Sequence, residues 1–139
     1  DEAIRQFEAA AANVMYATPE RAYFNVGEAY RAKGDPANAE EAYRKAMRAN
    51  EQYAPAYMAL SSVLGGQGKW KDAAPVLTRC VEVLPGYAPC WMELGRVYLR
   101  LSRPVEALKA FDKVLAVSSD PEVRKQAAGY VTLLGSEKR

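Results

Sequence analysis

Residues 54–87 read APAYMALSSVLGGQGKWKDAAPVLTRCVEVLPGY, and the pattern recurs on both sides at a step of 34 residues. Ala39, Ala73 and Ala107 keep that step, as do Tyr23, Tyr57 and Trp91. So do Val26, Leu60 and Leu94; Gly27, Ser61 and Gly95; and Tyr30, Leu64 and Tyr98. Tyr43, Leu77 and Phe111 follow, then Ala46, Cys80 and Val114. A unit of this length is one helical hairpin, which cannot bury its apolar face alone and does so by stacking on its neighbours. The predicted fold is all-α, a solenoid of antiparallel helix pairs winding into a right-handed superhelix.

The order aromatic, apolar, small, aromatic within each step resembles the tetratricopeptide repeat. Arrays of that family act as interaction surfaces, so the resemblance implies a binding module and not an enzyme. Residues 1–15 match the second helix of a truncated repeat, with Ala3, Phe7 and Ala10 on its inner face. Its first helix is expected upstream of Asp1. Full repeats are expected at 20–53, 54–87 and 88–119, followed by a capping helix at 120–135.

Local signals place the helix ends. Thr18 is positioned as an N-cap ahead of Pro19 and Glu20, and Asp35 ahead of Pro36. Gly34 closes the first helix of its repeat, Gly65, Gly66 and Gly68 crowd the next turn, and Ser102 stands where the others have glycine. Pro75 falls inside a predicted helix, which should begin late, near Lys71 or Asp72, or else bend. Tyr23, Val26, Tyr30, Ala39, Tyr43, Ala46 and their counterparts should face inward.

The chemistry of catalysis is thinly represented. Histidine, the commonest general base and metal ligand, is absent from the chain. Two cysteines without histidine do not make a four-ligand zinc site, so no metal, cofactor or catalytic group is expected. The glycines at 65, 66 and 68 follow a helix, and Lys69 is followed by Trp70, unlike a phosphate loop. Net charge is +2 with no block of like charge, so nucleic acid is not an expected partner. No apolar stretch is long enough to span a bilayer, so membrane contact is expected only through an N-terminal lipid anchor outside this sequence.

In the tetratricopeptide family the first helix of each pair lines the inner face. Positions two, five, nine and twelve of each repeat form that stripe: Arg21, Phe24, Glu28 and Arg31; Pro55, Met58, Ser62 and Gly65; Pro89, Met92, Arg96 and Leu99. The capping helix adds Val123, Gln126, Tyr130 and Leu133. Phe24, Met58 and Met92 make an apolar row, which Leu99 and Tyr130 extend and Arg21, Glu28, Arg31, Ser62 and Arg96 border. Such a groove suits an amphipathic helix or an extended apolar segment. The alternative is that the row is covered by the neighbouring turn or the capping helix. The carboxylate clamp of chaperone adaptors needs Lys and Asn at positions five and nine; only Arg96 could serve.

Cys80 and Cys90 flank a short loop, Pro85-Gly86-Tyr87, at similar heights on antiparallel helices. A disulfide and a pair of buried thiols both fit; a bridge would imply an oxidising compartment.

Residues 16–27, YATPERAYFNVG, resemble the inter-repeat segment of the type IV pilus biogenesis lipoproteins, the PilF/PilW/Tgl pilotin group, through Tyr16, Thr18, Pro19, Ala22, Asn25 and Gly27. The resemblance implies a lipoprotein on the periplasmic face of the outer membrane that helps secretin subunits assemble for twitching or gliding motility. It also implies about six repeats and a lipidated cysteine, which this chain lacks. The competing expectations are a cytosolic tetratricopeptide scaffold or co-chaperone-like adaptor, and the binding arm of a larger protein.

Overall fold

The computed structural model describes residues 1–12 and 18–137, of which the side chains at 7, 10–12 and 136–137 are left aside. Eight helices run through the described residues: α1 (Glu2–Ala12), α2 (Pro19–Ala32), α3 (Pro36–Ala49), α4 (Ala54–Gly66), α5 (Trp70–Val83), α6 (Ala88–Arg100), α7 (Pro104–Val117) and α8 (Pro121–Glu137). They pack as consecutive antiparallel neighbours in two units, Asp1–Lys69 and Trp70–Arg139. The fold is all-α.

Short caps punctuate these helices. Asp35 Oδ1 accepts from the Asn38 backbone N–H at 3.2 Å, and Asp120 Oδ1 accepts from that of Glu122 at 2.9 Å. Thr18 occupies the N-cap of α2, but its side chain makes no capping bond. Its carbonyl oxygen accepts from Arg21 and Ala22 instead, and Pro19 removes one amide that would need a partner.

Three first helices end alike. Gly34 (φ 77°), Gly68 (φ 73°) and Ser102 (φ 58°) turn left-handed. The next amide in each case reaches back over the last turn: Asp35 to Tyr30, Lys69 to Leu64, and Arg103 to Tyr98, at 2.9, 2.9 and 2.8 Å. This closure satisfies carbonyls the helix leaves open. It reverses the chain in three residues, which sets α3 beside α2 and α7 beside α6.

In the first unit Ala39, Tyr43 and Ala46 of α3 are fully buried, with Val26 of α2 and most of the circumference of α4. Gly27 lets the Tyr43 ring lie on the α2 backbone; a Cβ there would sit 2.5 Å from the ring. Tyr23 and Tyr30 are only partly buried, contrary to their expected place in the core. They border a cavity of about 320 Å³ with Asn38 and Lys45, and the Tyr30 hydroxyl donates to Glu8 at 2.8 Å. The Tyr30 hydroxyl finds its partner at the rim, whereas those of the fully buried Tyr43 and Tyr57 find theirs in Glu28 and the Glu51 carbonyl.

The inner face of α1 also differs. Ala3 is exposed, and its neighbour Ile4 is the buried residue, packed with Val26 and Ala42. Isoleucine has more apolar surface to withdraw from water than alanine, so it sets the rotation of α1. The expected inward positions of Phe7 and Ala10, and the end of this helix near Met15, lie outside the described residues.

The second unit centres on Ala107, Phe111 and Val114 of α7, Met92 of α6, and Ala127 and Leu134 of α8. Gly95 repeats the role of Gly27: a Cβ would meet Phe111 at 2.6 Å. Helix α5 begins at Trp70, so Pro75 lies inside it and the expected later start is corrected. The proline is exposed, where water can take up the carbonyl it leaves free. Lys45 lies 6.0 Å over the Tyr23 ring and Lys113 5.9 Å over Trp91, a cation–aromatic pair that recurs with the repeat.

Candidate functional site: inner helix faces

In the first unit, Phe24 is half-buried and rests on two tyrosines, 5.6 Å from Tyr43 and 5.8 Å edge-on from Tyr53. Beside it runs a polar chain. The buried Tyr43 hydroxyl donates to the Glu28 carboxylate. Arg31 lies 4.0 Å from that carboxylate and donates to Ser62 Oγ at 2.7 Å. Burial, then the Glu28 carboxylate, pushes the Tyr43 phenol far above its usual range. Met58 is half-buried on α4, and Arg21 is exposed on α2. Thus Glu28, Arg31 and Ser62 are brought together, while Phe24 stands on the aromatic pair next to them.

In the second unit the expected apolar row is corrected. Met92 is only 5% exposed and belongs to the core with Ala127 and Leu134. The capping helix covers it, because α8 carries apolar residues on the face turned toward α7. Leu99 is half-buried against the same cluster. Tyr130 stacks flat on Phe111, centroids 4.2 Å apart.

What remains open there is a shallow depression of about 470 Å³ between α6 and α8, bordered by Arg96, Glu122, Lys125, Gln126, Gly129, Tyr130 and Leu133. Leu133 is 56% exposed. Burial lowers the Arg96 pKa, but hydrogen bonds to Tyr130 and Glu93 outweigh it and hold the guanidinium above its ordinary value. Arg96 is therefore a fixed cation at the rim. No Cβ contact exists within 4 Å at Gly129, so this glycine leaves space rather than permitting close packing.

Sequence reasoning missed Lys125 and Gly129. Gly129 keeps the 34-residue step from Gly95, and a glycine inside a helix costs about 1 kcal/mol against alanine, so two signals pointed to it and neither to Lys125. Cys80 and Cys90, both fully buried, are joined by a disulfide with Cα atoms 6.3 Å apart. Of the two arrangements the spacing allowed, the bridge is the one present. Among the described residues, no three metal-ligating side chains cluster, and no helix is long and apolar enough to cross a membrane.

Residues 20–53 and 66–128 match tetratricopeptide-repeat sequence profiles, and the chain belongs to that family. Among proteins of curated function, none matches the chain significantly by sequence. Solved structures share the fold. The Yersinia enterocolitica type III secretion chaperone SycD, solved with a peptide of the translocator YopD, superposes with a TM-score of 0.78 at 8% identity, over 91% of this chain and 100% of that one. The first tetratricopeptide domain of Spaghetti (RPAP3), bound to the HSP90 peptide SRMEEVD, gives 0.69 at 18% identity, over 88% and 99%. The N-terminal domain of the C. elegans stress-induced protein STI-1 gives 0.72 at 20%, over 86% and 98%. The chain is a protein–protein interaction module of the tetratricopeptide class.

Proposed function

We propose that the module holds an apolar, extended or helical segment of another polypeptide against its inner helix faces. The α6–α8 depression carries this reading. Leu133 and the Tyr130 ring give it an apolar wall, Arg96 (paired with Glu93), Lys125 and Glu122 give it a mixed charged rim, and Gly129 leaves it room. In the first unit, Phe24 and Met58 offer apolar area beside the Glu28–Arg31–Ser62 chain. Peptides bound to SycD and to Spaghetti support the same mode of action.

The finer proposal is a pilotin that shields a secretin subunit until it assembles, at the periplasmic face of the outer membrane. Its support is the resemblance of residues 16–27 to the pilotin segment and the buried Cys80–Cys90 bridge, which suits an oxidising compartment. With Met92 enclosed, the informative double variant is Met58→Glu with Leu133→Glu. It should retain native helicity and melting behaviour yet fail to yield secretin multimers in co-expressing cells. Normal multimers would refute the pilotin role. Thiol counting on protein recovered from cells should find none free; two free thiols would favour the cytosolic scaffold or adaptor.

A further inference from the structure

A second groove lies in the second unit and shares no lining residue with the α6–α8 depression. It measures about 660 Å³ and runs between the exposed stripe of α5 and the α6–α7 turn. Ala74, Pro75 and Leu101 form its apolar floor, and Lys71, Arg79 and Arg103 its charged rim. It is not the inner-face site.

The repeat supplies its own control. In the first unit, Lys69 follows the left-handed Gly68 and lies 3.6 Å from the Glu40 carboxylate of α3. Gln67 donates to the same carboxylate at 2.8 Å. Shifted by one repeat step, Lys69 becomes Arg103, Gln67 becomes Leu101, and Glu40 becomes Ala74. The cation is kept after the left-handed Ser102 and the carboxylate is gone. Likewise Glu41, 3.8 Å from Lys45 on α3, becomes Pro75. Among the described residues, neither Arg103 nor Lys71 forms an ion pair. Glu82, the groove's one acid, lies eleven residues from Lys71 along α5, about 16 Å at the rise of a helix, too far to neutralise it.

We infer that this groove docks an acidic segment of a partner polypeptide, with one carboxylate of that segment standing where Glu40 stands in the preceding repeat. Arg103 and Lys71 receive the acids. The shelf of Ala74, Pro75 and Leu101, with the half-buried Tyr98 ring beside it, receives an apolar side chain between them. Charge complementarity selects the partner and speeds its arrival, and high salt weakens it.

The probe is a blocked twelve-residue peptide of Asp and Glu with two leucines; its control replaces every acid by Asn or Gln. Backbone amide shifts of the isotope-labelled chain should move at 71–82 and 98–103 with the acidic peptide only. Affinity should fall tenfold or more in Lys71→Glu with Arg103→Glu. The sharper variant is Ala74→Glu, which restores the missing carboxylate; it should keep or raise the melting temperature and still abolish binding. Gly129→Leu, which fills the α6–α8 depression, should leave this binding unchanged, so the two sites can fail separately. Equal binding of the neutral peptide would overturn the inference. So would retention of binding in Ala74→Glu, shifts confined to α8, or binding of vesicles rich in phosphatidylserine in place of the peptide.

Discussion

Gly27 and Gly95 are the residues on which the packing of the outer hairpins turns. Each lies against an aromatic ring of the following helix, with no space for even a methyl group. Gly95→Ala gains about 1 kcal/mol of helix propensity but forces the Phe111 ring aside at about 1–3 kcal/mol, so we expect a net loss of about 1–2 kcal/mol by urea denaturation. Adding Phe111→Leu should recover part of that loss relative to Phe111→Leu alone, because the smaller side chain makes room. The glycine and the ring were both legible, since each recurs at the repeat step. Their contact was not, because it depends on how two helices approach.

Tyr43 provides a test in alkaline solution. Burial and the Glu28 carboxylate raise its folded-state pKa above the ordinary value of 10.0. A raised pKa favours the protonated form, so its contribution to stability is fully present below about pH 10 and lost as pH climbs toward the folded value. Tyr43→Phe should therefore show a shallower decline in denaturation midpoint from pH 10 to 12 than the parent chain. Parallel declines would mean that the phenol does not carry this dependence.

At the scale of elements, the left-handed closures at 34 and 102 make the α2–α3 and α6–α7 hairpins, and the same backbone closure at 68 ends α4. Two use glycine and one uses serine, which holds φ 58° at a steric cost that glycine avoids. Ser102→Gly should stabilise the chain by about 0.5–1 kcal/mol, measured as a higher urea midpoint with an unchanged slope. The departure was visible in the sequence as a broken repeat. The placement of α8 was not. Its stripe Val123, Gln126, Tyr130 and Leu133 keeps the 34-residue step from Pro89, Met92, Arg96 and Leu99, but the step does not say how a last helix closes on its neighbours, so the burial of Met92 against Ala127 and Leu134 stood only as an alternative. Pro75 shows the same limit from the other side. Propensity argued for a later helix start, and packing of Ala73, Val76 and Leu77 carried the helix through it.

At the scale of the molecule, the repeat step defined the class and the all-α architecture, while side-chain identity at the inner faces gave an incomplete map of the site. Phe24, Met58, Arg96 and Tyr130 are at least partly open, and Met92 is closed. Lys125 and Gly129 entered only through the geometry of α8. What a periodic sequence encodes best is the scaffold. Both proposed binding sites lie where repeats differ from one another, as at Ala74 against Glu40 and at the capping helix.

The central claim is that the inner faces hold a polypeptide. Site-specific photo-crosslinking tests it most directly, with a benzophenone side chain in place of Leu133 on the inner face and, separately, of Val105, which is 43% exposed on α7. In cells producing the secretin subunit, we predict a crosslinked product with that subunit from position 133 and none from 105. Crosslinks from 105 alone, or equal yields from both positions, would contradict the assignment of the inner faces as the binding surface.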